Sequence, residues 1–269
     1  MIPAAFGYRR AGDLADALIR LGQGGVTVLA GGQSLLPALK ARTARAETLL
    51  DIGHLTELSH ITDNGSHLAI GATTRHCDLA ASDLLRERLP SLAGAAALIA
   101  DPQIRHMGTI GGSLAHADPA ADLILAGIAL DASVVLARRD GVRVIALRDF
   151  VLGAGRTAIE PGELITEVRV APDTGPWSHR KFHRDALEWA VVAVAVSSGR
   201  VAISGLAPVP VRAPGVEAAL KRGAGAAEAA ALADAGTDPP TDRTAGADYR
   251  RHLARVLTRR ALIEIGVAP

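Results

Sequence analysis

Cysteine is the scarcest residue with metal-binding or redox chemistry in this sequence, since 269 residues contain only Cys77. An iron–sulfur cluster needs several thiolates, and a structural zinc site needs a set of cysteines and histidines. A disulfide framework needs cysteine pairs. The sequence therefore excludes all three, and we expect the chain to hold no metal.

Strong charge and long hydrophobic runs are also missing. The 29 Lys and Arg residues against 28 Asp and Glu give a formal net charge of +1, which argues against nucleic acid as a partner. The longest apolar stretches, 120–132 and 190–197, are interrupted or too short to cross a bilayer. Residues 1–20 lack the basic and then apolar order of a signal peptide. We therefore expect a cytoplasmic protein without a transmembrane segment.

Hydrophobic residues make up 49% of the chain, which is enough for a sizeable core, and their pattern changes along the sequence. Residues 1–55 alternate strand-like and helix-like segments, and short strands then mix with Ala-rich helices. Two prolines and a glycine in 172–176 interrupt this pattern, and a strand hairpin followed by helices comes next. We predict an α+β fold with one domain at 1–173 (subdomains about 1–55 and 56–173) and a second at 174–269.

Two glycine motifs are the main candidates for function. Ala30-Gly31-Gly32-Gln33-Ser34-Leu35 follows a predicted strand and precedes a predicted helix, so its backbone amides could cradle phosphate oxygens. An ordinary strand-to-helix turn is the alternative. Thr109-Ile110-Gly111-Gly112-Ser113 repeats the arrangement, with a helix predicted to begin at Asp118-Pro119. Two such loops in one domain suggest two sides of one diphosphate site.

Asp122 lies one turn into the second predicted helix, where it could accept hydrogen bonds from a ribose hydroxyl. A solvated acid favoured by the helix dipole is the alternative. His116, Asp118 and Asp122 could also be metal ligands, although no further histidine or carboxylate cluster completes such a site. No Ser/His/Asp elbow or other acid–base set is evident, so we predict no catalytic residue in this chain.

The two motifs together carry a family resemblance. AGGQSLLP (30–37), followed by IRHMGTIGGSLAHADPAADL (104–123), resembles the FAD-binding medium subunit of the molybdenum hydroxylases. That group includes aerobic carbon monoxide dehydrogenase and bacterial xanthine dehydrogenase. Further fits, such as 70–74 and 249–253, extend the resemblance over nearly the whole chain. It implies a two-part FAD-binding domain of the vanillyl-alcohol-oxidase type, then a C-terminal domain with a small antiparallel sheet and helices.

The resemblance implies that FAD binds noncovalently, and it indicates which residues contact it. The first loop would bind the diphosphate through backbone amides, and the second would hold the other side and the flavin edge. Asp122 would contact the adenosine ribose, Ile165 the adenine, and Ile99 with Ala100 the flavin. The full implied set is Ala30, Gly31, Gly32, Gln33, Ser34, Leu35, Ile99, Ala100, Thr109, Ile110, Gly111, Gly112, Ser113, Asp122, Ile165, Lys181 and Trp189.

The chain departs from the family pattern at 181–190. Many relatives have Lys-x-x-Arg and then Asp-aromatic-Ala, where this chain has KFHRDALEWA. Glu188-Trp189-Ala190 fits best, so Trp189 is a candidate to cover one flavin face. A core residue at a strand end is the alternative. Lys181 is a candidate cofactor contact, with a surface lysine as the alternative.

The resemblance also implies partners. In this family, hydroxylation takes place at a molybdenum–molybdopterin cofactor on a large subunit, and two [2Fe–2S] clusters on a small subunit pass electrons to FAD. The acceptor is external, such as a quinone, NAD or oxygen. We expect a heterotrimer, doubled into a dimer of heterotrimers. The alternatives are a stand-alone noncovalent FAD-dependent oxidoreductase and a nucleotide-binding scaffold module without a redox role.

Overall fold

A small parallel sheet begins the fold. The computed structural model describes residues 2–185 and 188–269. Its first elements are β1 (Gly7–Arg10), α1 (Leu14–Gln23), β2 (Val26–Leu29), α2 (Leu35–Ala41) and β3 (Thr48–Asp51). The strands lie in the order β1–β3–β2, with both pairings parallel. Asp13 caps α1, because its side chain accepts a hydrogen bond from the backbone N–H of Asp16.

The middle of the chain combines a five-stranded antiparallel sheet with a group of short helices. Its elements are β4 (Ile61–Asp63), β5 (Leu68–Gly71), α3 (His76–Ala81), α4 (Asp83–Arg88), α5 (Pro90–Ala97), α6 (Pro102–Met107), α7 (Ile110–His116), α8 (Asp122–Ala129), β6 (Ser133–Arg138), β7 (Gly141–Ala146), α9 (Leu147–Phe150), β8 (Val151–Gly153), β9 (Arg156–Thr157) and β10 (Leu164–Val170). The sheet order is β4–β5–β10–β6–β7. The strands β8 and β9 form a separate hairpin.

A four-stranded antiparallel sheet and three helices form the C-terminal part. They are β11 (Trp177–Phe182), β12 (Val192–Ser197), β13 (Arg200–Ser204), β14 (Val211–Arg212), α10 (Pro214–Lys221), α11 (Ala226–Ala230) and α12 (Ala247–Glu264). The strands pair in chain order. Ser198 and Gly199 join β12 to β13 with φ of 48° and 77°, as a two-residue hairpin turn requires.

The alternating side chains of β12 connect two hydrophobic cores. Val192, Val194 and Val196 point into the C-terminal core, where they pack with residues of α12. Ala193 and Ala195 point the other way into the core of the middle part, which also contains α8. Because both faces of β12 are covered, the strand has no polar face and reads Val-Ala-Val-Ala-Val. The small alanine side chains let α8 approach the sheet closely.

A buried acid stabilises the junction between the middle and C-terminal parts. The carboxylate of Asp173 accepts hydrogen bonds from the Ser197 hydroxyl at 2.9 Å and the backbone N–H of Gly175 at 3.1 Å, and it also pairs with Ser198 and Arg200. Burial alone would raise the pKa of Asp173, but these hydrogen bonds and the Arg200 charge outweigh it and lower that pKa.

Among the residues described, no helix is long and apolar enough to cross a membrane.

Candidate functional site

The first glycine motif lies between the end of β2 and the start of α2. Gly32 has φ of +72°, a conformation that favours glycine. The backbone N–H groups of residues 31–35 donate to no protein acceptor within residues 2–185 and 188–269. They lie on half-buried residues. Consecutive unpaired donors of this kind are a binding element for an anion.

Gly31 brings the two glycine motifs into contact. A Cβ atom at Gly31 would lie 2.0 Å from the carbonyl oxygen of Met107 and 2.9 Å from Cα of Gly108. These are backbone atoms immediately before the second motif. Only glycine therefore allows the loop after β2 to approach the segment between α6 and α7 this closely.

The second motif is helical, unlike the first. Thr109 is the N-cap of α7, and its hydroxyl oxygen accepts a hydrogen bond from the N–H of Gly112 at 3.2 Å. The N–H of Ile110 donates to Thr74, and that of Gly111 donates to Ala72 at 2.9 Å. The protein therefore already uses the amides of residues 110–113. The expectation that it repeats the amide cradle of the first loop is wrong.

The helix predicted to begin at Asp118-Pro119 starts later than expected. α7 ends at His116, and Ala117 has φ of 52°. The Asp118 side chain then accepts a hydrogen bond from the N–H of Ala120 at 2.8 Å, which stabilises a turn. α8 begins only at Asp122, so this acid is the first residue of its helix and not one turn into it.

Asp122 is buried in an ionic cluster formed by two parts of the chain. Its side chain is 8% exposed and accepts hydrogen bonds from Nε2 of His179 at 3.0 Å and Nζ of Lys181 at 3.1 Å. Burial alone would raise the pKa of Asp122, but the hydrogen bonds and charges of His179 and Lys181 outweigh it and lower that pKa. The solvated-acid interpretation is therefore wrong.

The surroundings of Asp122 also bear on the metal alternative. No group of three or more His, Cys, Asp and Glu side chains in the described parts of the chain could hold a metal ion. The metal-ligand alternative for His116, Asp118 and Asp122 therefore receives no support from the geometry. The two polar partners of Asp122 are instead a histidine and a lysine of β11.

Lys181 connects this cluster to the predicted flavin wall. Its Nζ also donates to the carbonyl oxygen of Leu98 at 2.6 Å, and the side chain is only 16% exposed, so it is not a simple surface lysine. Ile99 and Ala100, the residues predicted to line the flavin, directly follow Leu98 in the sequence. Their carbonyl oxygens accept hydrogen bonds from Nη1 of Arg105 at 2.7 and 2.9 Å. Predicted site residues from distant parts of the chain thus lie together.

Two predicted site residues have very different environments. The Ile165 side chain is 4% exposed and packs in the core of the middle part. Trp189 is 56% exposed, so the alternative that it is a core residue at a strand end is wrong. Its indole is available to a ligand.

Sequence reasoning missed three polar residues of this region, namely His179, Arg105 and His76. His179 and Lys181 are two residues apart on β11 and share one face of the strand, but β11 itself was not predicted. His76 is buried, and a Cβ atom added at Gly108, just before the second motif, would lie 2.8 Å from its ring. Burial lowers the pKa of His76 to about 4, against the charge of Asp122, which raises it.

Sequence models of two families cover most of the chain. The FAD binding domain in molybdopterin dehydrogenase matches residues 4–173, and the CO dehydrogenase flavoprotein C-terminal domain matches 177–265. The chain therefore belongs to the family of FAD-binding flavoprotein subunits of molybdopterin dehydrogenases. The predicted family and fold class are confirmed, and FAD is the cofactor.

Individual proteins of this family resemble the chain in both sequence and structure. The chain is 40% identical to the carbon monoxide dehydrogenase medium chain of Hydrogenophaga pseudoflava, with 97% of each chain covered. It is 34% identical to the glyceraldehyde dehydrogenase medium chain of Sulfolobus acidocaldarius, covering 98% of this chain and 100% of that one. Among solved structures, the Hydrogenophaga pseudoflava carbon monoxide dehydrogenase gives a TM-score of 0.92 at 38% identity. Quinoline 2-oxidoreductase from Pseudomonas putida 86 gives 0.93 at 29%, and for both structures 98% of each chain is covered. The chain is thus a medium flavoprotein subunit of molybdenum hydroxylase type.

Proposed function

We propose that this chain is the electron-transfer subunit of a multi-subunit molybdenum hydroxylase. It takes electrons from [2Fe–2S] clusters on a small partner subunit and passes them to an external acceptor such as a quinone, NAD or oxygen. Hydroxylation belongs to a large molybdopterin subunit, and the assembly is a cytoplasmic dimer of heterotrimers. The row of unpaired N–H groups at residues 31–35 carries the proposal, because it suits the diphosphate of FAD.

The first loop holds the diphosphate noncovalently. The amides of residues 31–35 donate to its oxygens, and Ala30 leads into the loop at the end of β2. A side chain on Gly31 would meet the backbone of Met107, and one on Gly32 would be strained by its φ of +72°. Ser34 and Leu35 start α2, which fixes the direction of the last amides. The backbone thus presents its donors with no side chain in the way.

The second motif and Asp122 hold the other parts of the cofactor. Within Thr109 to Ser113, the first three residues are buried and set the start of α7, and contact falls to Gly112 and the half-buried Ser113, because the amides of residues 110–113 are already paired. Gly112 is exposed and leaves the surface of the helix open. Each carboxylate oxygen of Asp122 accepts one hydrogen bond, so a second lone pair on each remains for a ribose hydroxyl.

The remaining predicted site residues surround the flavin ring and the adenine. Ile99 and Ala100 line it next to the Lys181–Asp122 pair, and the exposed indole of Trp189 covers one face. Ile165 contacts the adenine side through its backbone, since its side chain belongs to the core. When bound, FAD supplies redox chemistry, and the protein binds, orients and shields it from water. We assign FAD binding to residues 1–173. Residues 174–269, which include Lys181 and Trp189, support the site.

The composition of the site argues for electron transfer over an independent oxidoreductase. Lys181 and Asp122 pair with one another, and His179 also pairs with Asp122, so none of them is a free acid or base. A single cysteine leaves the chain no clusters of its own. Both observations favour a partner subunit as the source of the electrons.

Anaerobic mixing tests this proposal. The purified full-length chain is expected to be yellow and to release FAD on denaturation. Addition of the small subunit, reduced with dithionite and then desalted, should bleach the flavin absorbance, and a quinone or oxygen should restore it. Oxidised small subunit is the control. A colourless chain that takes up no FAD, or a lone chain that oxidises CO or an aldehyde rapidly, would contradict the proposal.

A further inference from the structure

The turn between α5 and α6 has three consecutive carbonyl groups that are held by two cations. Lys181, from β11, donates to the carbonyl oxygen of Leu98 at 2.6 Å. Arg105, from α6, donates through one nitrogen to the carbonyl oxygens of Ile99 and Ala100, at 2.7 and 2.9 Å. Hydrogen bonds from charged donors to carbonyls are stronger than those between neutral groups. The turn is therefore fixed from both sides.

Ala100 gives this turn a conformation that needs support. Its φ is +38°, in the region that residues with a Cβ atom rarely adopt. Such a residue persists only when its surroundings impose the conformation. The carbonyl of Ala100 is one of the two that Arg105 holds, so the guanidinium acts at the strained residue itself.

The start of α6 explains why Arg105 reaches backwards along the chain. Asp101 is the N-cap, and its side chain accepts a hydrogen bond from the N–H of Ile104 at 2.9 Å. The carbonyl of Asp101 accepts the N–H of Arg105. Helix side chains lean towards the N-terminus, which aims this guanidinium at the preceding turn. Its hydrogen bonds go to carbonyls rather than to a carboxylate.

We propose that Arg105 is a positioning residue that holds Ile99 and Ala100 in the strained turn that forms the flavin wall. This inference rests on the proposed function, in which these two residues line the ring. Without Arg105, Ala100 relaxes towards negative φ and the wall moves. Lysine can retain one of the hydrogen bonds and the charge, whereas glutamine at this position loses the charge and the reach.

A double-mutant cycle tests this role. The FAD dissociation constant of the full-length chain is measured by flavin fluorescence for wild type, R105Q, R105K, A100G and R105Q/A100G. We expect R105Q to weaken FAD binding about tenfold and R105K to recover part of the loss. Because glycine adopts positive φ without strain, removal of Arg105 should cost less than about threefold in the A100G background.

Hydrogen exchange of the FAD-free chain gives a second measurement. The N–H groups of Leu98 and Ile99 are hydrogen-bonded to Ala95 and Ala96, and R105Q should speed their exchange about tenfold while exchange in the β12–β13 hairpin stays unchanged. An R105Q variant with wild-type FAD affinity and exchange would overturn the inference, as would an equal loss in the Ala100 and A100G backgrounds. A wild-type chain that takes up no FAD would overturn the proposed function and the cofactor half of this inference. Exchange would then still decide whether Arg105 holds the turn.

Discussion

The contact between Gly31 and Met107 allows a quantitative test of the cofactor site. In a Gly31→Ala variant the new Cβ would lie 2.0 Å from the Met107 carbonyl oxygen, where contacts under 3.0 Å essentially never occur. The atoms in the way are backbone, so the first loop must move about 1 Å away from the second motif. The row of amides at 31–35 moves with it.

The expected loss follows from the usual cost of overpacking. Forcing an extra carbon into a closely packed contact costs about 1–3 kcal/mol. If that cost falls on the bound state, FAD binds about 5- to 150-fold more weakly, because each 1.4 kcal/mol is a factor of ten. The assay is FAD titration of the cofactor-free chain, with thermal unfolding measured in parallel to separate affinity from stability.

Gly22→Ala is the matched control. Gly22 lies near the end of α1, and a Cβ atom added there would meet nothing within 4 Å. Alanine at that position should leave FAD affinity unchanged and stabilise the helix by up to about 1 kcal/mol. A Gly31→Ala chain that binds FAD within twofold of the Gly22→Ala control, with the same unfolding temperature, would refute the argument that the two motifs meet at Gly31.

Three further predictions follow from the buried polar groups and the exposed indole. Asp122→Asn leaves His179 and Lys181 without their carboxylate and should lower the free energy of unfolding by about 3–5 kcal/mol in chemical denaturation. His76 has its pKa lowered to about 4 from 6.5, so its neutral form stabilises the fold above pH 6.5. The free energy of unfolding should fall by about 3 kcal/mol as the pH falls from 6.5 to 4, and His76→Gln should remove this pH dependence. Trp189→Ala should weaken FAD binding about three- to tenfold in the same titration.

Each of these predictions has a result that would count against it. An Asp122→Asn chain as stable as wild type would mean that the buried ion pairs contribute nothing net. If the free energy of unfolding of His76→Gln depended on pH as in wild type, the titrating group would be a different residue. Equal FAD affinity in Trp189→Ala would show that the indole does not cover the flavin, and Leu152→Ala, which changes another exposed apolar residue remote in sequence, serves as its control.

Local signals were sufficient for much of the fold. A strand was predicted directly before the first glycine motif, and β2 lies there at Val26–Leu29, because a short apolar run ended by Gly31-Gly32 favours a strand. The strand hairpin expected after 172–176 is also present, with Ser198-Gly199 as its turn. In contrast, Asp118-Pro119 has the residues of a helix start, yet α8 begins only at Asp122, because the Asp118 side chain stabilises a turn through the N–H of Ala120. The glycines of the second motif lie inside α7, whose N-cap is Thr109, and Gly111 packs closely against Ala72.

Long-range pairing limited what could be predicted of the site. The strand β11 reads Trp-Ser-His-Arg-Lys-Phe, which lacks the alternation of a half-buried strand. Its burial comes from contacts with α5 and α12 on other parts of the chain. Asp122 and His179 are 57 residues apart, so no spacing rule connects them. The family resemblance named Asp122 and Lys181, but only the fold shows that they touch.

The position of β11 has a consequence for recombining these proteins. His179 and Lys181 follow residue 173, yet their partners Asp122 and Leu98 precede it. A chimera joined at 173, with its first half from one relative and its second from another, would therefore mix the two sides of a buried ion cluster. A crossover placed after Phe182 would inherit the cluster from one parent and should yield soluble hybrids more often.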